Sequence, residues 1–122
     1  MIRVDLNAQS VHAMEGSKEV LRFDCVTGDG SHPTERGVFS ILRKARIYRS
    51  RAYDVQMNYA MFFTLDGKAL HQYHGMLPLS IVRLARGGVG DWFGSHGCVR
   101  LVEADAQALF EWAPLHTAVH VV

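Results

Sequence analysis

Ile2, Val4 and Leu6 alternate with polar neighbours, the period-two pattern of a half-buried strand. Positions 11–15 and 19–26 repeat that pattern on either side of a tight-turn signal built around Gly16. Positions 27–37, rich in glycine with one proline, read as a loop. Positions 37–47 then read as one longer strand. Between Asn58 and Gly75 two apolar, aromatic-rich runs are joined through Asp66-Gly67, which predicts a hairpin with a type I′ turn. After His74 the period changes. Pro78 at a first turn and Gly87 at an end predict a short helix, followed by a glycine-rich loop over 87–94. Val102, Ala106, Leu109, Phe110 and Ala113 recur at helical spacing and predict an amphipathic helix over 103–112. Positions 116–122 close the chain as a strand. No repeat, linker or low-complexity tract interrupts this order. It predicts a single, mainly β domain over 1–122, a β-sandwich or barrel with one or two short helices packed at one end.

Composition narrows the function classes. With 48% hydrophobic and 20% charged residues the chain is ordinary globular. A formal net charge of +1 argues against a nucleic-acid binder that works by neutralising phosphates. Arginines gather at Arg43, Arg46, Arg49 and Arg51, and again at Arg83 and Arg86; each group reads as a solvated face or as a surface for an anionic substrate. No apolar run has the length of a membrane span. The first residues have no apolar centre of the kind a signal peptide carries.

The two cysteines differ in setting. Leu21, Phe23 and Cys25 alternate with polar Arg22 and Asp24, which places Cys25 on the apolar face of a strand as an inert thiol. Cys98 sits in Gly94-Ser95-His96-Gly97-Cys98-Val99-Arg100-Leu101, a loop with neither helix nor strand period. A cysteine nucleophile needs a histidine within hydrogen-bond reach and backbone N–H groups aimed at the developing oxyanion. Gly97 removes the side chain next to Cys98 and lets the backbone approach a substrate. A metal site is the rival reading, because His71, His74, His96 and Cys98 are nitrogen and sulfur donors of the sort zinc accepts. Their His-x-x-His and His-x-Cys spacings are not a standard zinc pattern, and the expectation is no metal and no organic cofactor.

The longer string, Ser95 to Leu101, resembles the signature of the L,D-transpeptidase catalytic domain, the YkuD-type family. The resemblance runs along nearly the whole chain. Positions 2–20 are similar to the family's opening hairpin, and 27–41 to its threonine-glycine, proline-threonine, glycine-x-phenylalanine loop and strand. Positions 57–71 are similar to its methionine-x-aromatic strand and glycine-x-alanine-apolar-histidine run, and 101–112 to its closing helix. This implies a YkuD-like β-sandwich and a cysteine acyltransferase. By that resemblance Cys98 attacks the diaminopimelate–D-alanine bond of a peptidoglycan tetrapeptide stem, and the acyl group passes to an acceptor amine. Water as acceptor makes the same site an L,D-carboxypeptidase; a non-catalytic peptidoglycan-binding module is a further alternative. The implied partners are peptidoglycan stem peptides, and the implied location is periplasmic or facing the cell wall. The sequence leaves the oligomeric state open.

The resemblance also implies roles. The base is a histidine at the end of the hairpin, and both His71 and His74 qualify. Residues three apart on a regular strand point to opposite faces, so one of them at most faces Cys98, and His71 fits the local string better. Ser95, His96 and Gly97 shape the oxyanion loop, and the adjacent thiol is a better nucleophile than Ser95. Arg100 holds a stem carboxylate bidentately or forms an ion pair with Asp91 or Glu103. Tyr59 lines the donor stem or packs in the core. Trp92, with Phe93, walls the pocket or simply packs. The remaining histidines, at 12, 32, 116 and 120, read as structural or surface. The chain departs from the family in one respect: positions 72–94 separate His71 from Ser95, a longer stretch than the family's. The extra length falls within 76–93 and reads as a lid or a substrate-facing insert. With a histidine beside it, Cys98 is expected to be partly thiolate near neutral pH.

Overall fold

The computed structural model describes residues 1–28, 32–51, 54–85 (of 83–85 the backbone alone) and 97–122. In chain order the described elements are β1 (Ile2–Asp5), β2 (Ser10–Glu15), β3 (Lys18–Asp24), β4 (Gly37–Ser40), β5 (Arg43–Ala45), β6 (Arg49–Ser50), β7 (Val55–Gln56), β8 (Ala60–Phe62), β9 (Ala69–Gln72), α1 (Leu79–Ala85), β10 (Val99–Leu101), α2 (Glu103–Trp112) and β11 (Ala118–Val121). They form a sheet of order β3-β2-β1-β11-β4, a second of order β10-β9-β8-β5, and a small ribbon β6-β7. Both larger sheets are mixed: β1 runs parallel to β11, and β10 parallel to β9.

The core lies where period-two strands turn their apolar sides together. Ile2, Val4, Val11, Ala13, Val119 and Val121 come from the first sheet. Met61, Leu70, Val99 and Leu101 come from the second, and Ala106, Leu109, Phe110 and Ala113 come from α2 and the residue after it. Helix α2 spans the predicted 103–112. Val102 differs from the expected stripe, because it is the extended residue that starts the helix and is exposed. Glu103 and Asp105 sit in the first turn, where the helix dipole favours negative charge. At the other end Lys44 Nζ donates to the carbonyls of Phe110 (2.6 Å) and Ala113 (2.8 Å), satisfying acceptors that the helix leaves open.

Two local expectations are corrected. The strand expected over 37–47 is two strands in different sheets: β4 pairs with β11, and β5 pairs with β8. Fully buried Ile41 makes the crossing, pinned by its backbone N–H to Thr117 O and its carbonyl to His116 N–H. The expected hairpin is present as β8–β9, with Phe62 opposite Ala69, but its turn is not type I′. Gly67 has a positive φ and Asp66 does not, whereas type I′ needs both. The loop is closed instead by Phe63 N–H on Lys68 O (2.9 Å), and Thr64 Oγ1 accepts the N–H of Lys68 (2.9 Å).

Among the described residues no helix is long and apolar enough to cross a membrane. Cys25 is fully buried in the core, one residue past β3. His12 is buried and structural, held between Ser10 Oγ (2.8 Å) and the Glu19 carboxylate. The first arginine group serves packing in part: Arg43 lies 4.2 Å from the Phe62 ring centre, Arg46 lies 5.4 Å from that of Phe110, and Arg49 pairs with Asp54. The Arg83 side chain and Arg86 lie outside the described residues.

Candidate active site

Parallel pairing of β10 with β9 brings the two chemically interesting stretches together. Its register sets Val99 beside Leu70, Arg100 beside His71, and Leu101 beside Gln72. Side chains alternate across a strand. Leu70, Val99 and Leu101 enter the main core. Ala69, His71, Cys98 and Arg100 therefore belong to the other face, where Cys98 packs with Met57, Ala60, Phe62 and Ala69. Cys98 continues the register opposite Ala69, and its Sγ accepts the Ala69 N–H at 3.4 Å. His71 is the diagonal neighbour on that face, a separation of about 7–8 Å between Cα atoms that a long side chain can cross.

The His71 ring is fixed by the backbone beside it. Its Nδ1 lies 2.7 Å from the Gln72 carbonyl oxygen. A carbonyl can only accept, so Nδ1 carries the proton and Nε2 holds the lone pair. Burial drives the His71 pKa down to about 4; the Gln72 carbonyl opposes this, and the charges of Arg100 and His74 add to it. Burial also pushes the Cys98 thiol up, against the Ala69 N–H and the charges of Lys68 and Arg100, and with that of Asp66. Both groups are thus neutral at pH 7. This corrects the expected partial thiolate: the loop setting suggests exposure, but Cys98 is only 5% exposed, and burial outweighs the nearby cations.

Gly97 needs to be glycine. Its φ is +101°, and a Cβ there would stand 2.3 Å from Lys68 Cε. The Gly97 carbonyl accepts the Thr34 hydroxyl proton at 2.8 Å, and Thr34 Oγ1 accepts the Gly28 N–H at 3.0 Å. Arg100 is half-buried, with its guanidinium 5.5 Å from the Tyr73 ring centre, and its backbone exchanges two hydrogen bonds with Val26. Leu79 and Val82 of α1 pack on Val26 and Tyr73, so the helix within the extra stretch sits beside Arg100.

Other candidates fall elsewhere. His74 is exposed beyond the end of β9, and its Nε2 accepts the Asn58 N–H at 3.4 Å. Tyr59 packs edge-on against Phe110 of α2, 5.7 Å between centres, with Arg46 over it. Half-buried Tyr59 packs against the main core, whereas Cys98 belongs to the second cluster. Ser95, His96, Trp92, Phe93 and Asp91 lie outside the described residues. No group of three or more metal-binding side chains occurs among the described residues. A cleft of about 1300 Å³ lies apart from Cys98, walled by Gln9, Asp24, Leu79 and Asp105 among others, and neither His71 nor Arg100 lines it. The pattern reading missed the Gln72 carbonyl, the Ala69 N–H, Thr34 and Lys68. The proline-threonine string was the one available signal for Thr34.

The architecture defines the class: a mixed β-sandwich that sets a cysteine and a histidine on adjacent parallel strands of one sheet face. A family model described as the L,D-transpeptidase catalytic domain matches residues 1–121, and the chain belongs to that YkuD family. Solved structures agree. The L,D-transpeptidase of Stackebrandtia nassauensis is 27% identical with a TM-score of 0.82, the match covering 99% of this chain and 54% of that one. The Ldtfm–avibactam carbamoyl enzyme is 26% identical with a TM-score of 0.80, covering 99% and 47%. A cysteine-to-serine mutant of the Enterococcus faecium L,D-transpeptidase is 25% identical with a TM-score of 0.78, covering 99% and 48%. The chain therefore spans about half the length of these relatives. No curated protein matches it.

Proposed function

We propose that this chain is the catalytic unit of a peptidoglycan L,D-transpeptidase acting outside the cytoplasm, with Cys98 as nucleophile and His71 as base. The observation that carries the reading is the shared face of β9 and β10. A thiol and a histidine whose lone pair is assigned to Nε2 stand there as diagonal neighbours.

The reaction then follows from groups already present. His71 Nε2 takes the thiol proton as Sγ attacks the diaminopimelate carbonyl. Backbone N–H groups of the Gly97–Cys98 stretch meet the developing oxyanion, with Ser95 and His96 supporting the loop. The carbon–nitrogen bond breaks, D-alanine leaves with the proton from His71, and a thioester remains on Cys98. An acceptor amine attacks the thioester, His71 takes a proton from that amine and passes it to Sγ as the carbon–sulfur bond breaks, and the thiol and neutral imidazole are restored. Because both groups rest neutral, the base acts during attack and the thiolate is not stored beforehand. Arg100 offers a planar guanidinium for a stem carboxylate.

Mass spectrometry of the protein incubated with a disaccharide-tetrapeptide tests this. Loss of D-alanine with a crosslinked dimer supports transpeptidation, and loss without a dimer makes the enzyme an L,D-carboxypeptidase. Cys98→Ala and His71→Ala are expected to abolish both products, while His74→Ala keeps activity within about threefold. A His71→Ala variant that still turns over while His74→Ala does not would overturn the assignment of the base.

A further inference from the structure

Thr34 lies 63 residues before Gly97 in sequence and touches it in space. It is 4% exposed, and its single hydroxyl makes two bonds, accepting from Gly28 N–H (3.0 Å) and donating to Gly97 O (2.8 Å). The first bond consumes the hydroxyl's acceptor side toward a neighbouring loop. The proton is thereby directed at Gly97, and the contact is one-way and specific. On the other side of Gly97 the Lys68 stem closes in, so that a Cβ would meet Cε at 2.3 Å and Cδ at 2.7 Å. Gly97 itself takes a backbone conformation, φ +101°, that only glycine adopts readily, with its carbonyl held by Thr34.

The consequence follows from peptide geometry. In a trans peptide the carbonyl of one residue and the N–H of the next point in opposite directions. Fixing the Gly97 carbonyl toward Thr34 fixes the plane of the Gly97–Cys98 peptide. It thereby fixes where the Cys98 N–H points. We propose that Thr34 is a positioning residue: through its hydrogen bond to the Gly97 carbonyl it orients the nucleophile's own peptide for the oxyanion that forms on Cys98. This rests on the reading of Cys98 as an acyl-accepting nucleophile.

Two reagents separate the orienting role from a general structural one. Acylation of Cys98 by p-nitrophenyl acetate passes through a tetrahedral oxyanion; alkylation by iodoacetamide does not. Thr34→Val keeps the shape and removes the hydroxyl. Thr34→Ser keeps both hydrogen bonds, and Thr34→Ala leaves room for water on the Gly28 N–H should the valine variant fail to fold. Rates at Cys98 are read by peptide mapping. The expected result is acylation slowed about 10- to 100-fold in Thr34→Val or Thr34→Ala, the scale of a misplaced reacting group. Alkylation should stay within about twofold, and Thr34→Ser should recover most of the acylation rate. With the tetrapeptide, kcat falls by the same factor and KM is little changed. Equal slowing of both reagents, or of neither, would overturn the orienting role and leave the nucleophile assignment standing. A wild-type Cys98 that neither the ester nor the tetrapeptide acylates would overturn both.

Discussion

His71 offers a direct physical test, because its protonation state is tied to folding. Burial, with Arg100 and His74 adding repulsion, holds its pKa at about 4 in the folded protein against 6.5 for a free histidine. At pH 7 the folded and unfolded chains both keep the ring neutral, so the shift costs nothing there. Below pH 6.5 the unfolded chain takes up a proton that the folded state refuses, and unfolding becomes easier as pH falls. The difference between 6.5 and about 4, at about 1.4 kcal/mol per unit, comes to about 3 kcal/mol lost by pH 4. Urea unfolding of the wild type and of His71→Asn at pH 7, 5.5 and 4 measures it. Glu19 and Asp66, whose carboxyls are held low by His12 and by Lys68 respectively, also lose stability in acid, but they do so in both proteins and cancel in the comparison. The wild type should lose about 3 kcal/mol more than the variant, a drop of roughly 10 °C in Tm for a domain of this size. Parallel losses in the two proteins would refute the buried, neutral imidazole on which the general-base reading depends.

Three further outcomes are expected. Iodoacetamide should label Cys98 slowly at neutral pH, its rate climbing past the range of an ordinary thiol because burial pushes that thiol up; a fast rate with a plateau below pH 7 would restore the stored thiolate. Lys44→Met should cost about 1–3 kcal/mol by removing the charge-assisted bonds to Phe110 O and Ala113 O, with the loss seen as faster amide exchange at the end of α2. Arg100→Gln should raise KM for the tetrapeptide about tenfold and leave kcat within about twofold; steady-state kinetics decide, and a fall in kcat alone would count against a substrate contact.

What was legible in the sequence is what depends on local pattern. The stripe Ala106, Leu109, Phe110 and Ala113 places α2 at 103–112 because one face of a helix must be apolar to bury. The strands near Ile2, Val11 and Val119 follow from alternation in the same way. Legibility fails where a distant partner decides. Nothing local marks Ile41 as the crossing between sheets; its backbone bonds to residues 116 and 117 do. Asp66-Gly67 looks like a two-residue turn until the Thr64 hydroxyl takes the Lys68 N–H and lengthens the loop. The motif singles out Cys98, and the hairpin's end offers His71 and His74, of which the local string favours His71. Their common face comes from a parallel register between residues nearly thirty positions apart, which no single-strand pattern carries. Burial of the thiol, which pushes its pKa up, is equally invisible in a glycine-rich string.

The charges around the pair sort the roles of the two nearby cations. Moving a proton from Cys98 to His71 depends on the gap between their pKa values, not on either alone. Arg100 lowers both: it favours the thiolate and opposes the imidazolium. Its two effects oppose each other in the gap, so its charge contributes little to starting the reaction from inside the site. Lys68 acts differently. It favours the thiolate and is not among the groups that shift His71, so it narrows the gap, while its ion pair with Asp66 (2.5 Å) tempers that effect. In the proposed reaction Lys68 is therefore the cation whose charge favours the proton transfer. On the same proposal Arg100 is left to act on what enters the site. A guanidinium laid against Tyr73, beside a helix seated on that same ring, is placed to meet a carboxylate arriving from solvent. In the proposed reaction, thiol activation and substrate capture thus fall to different cations.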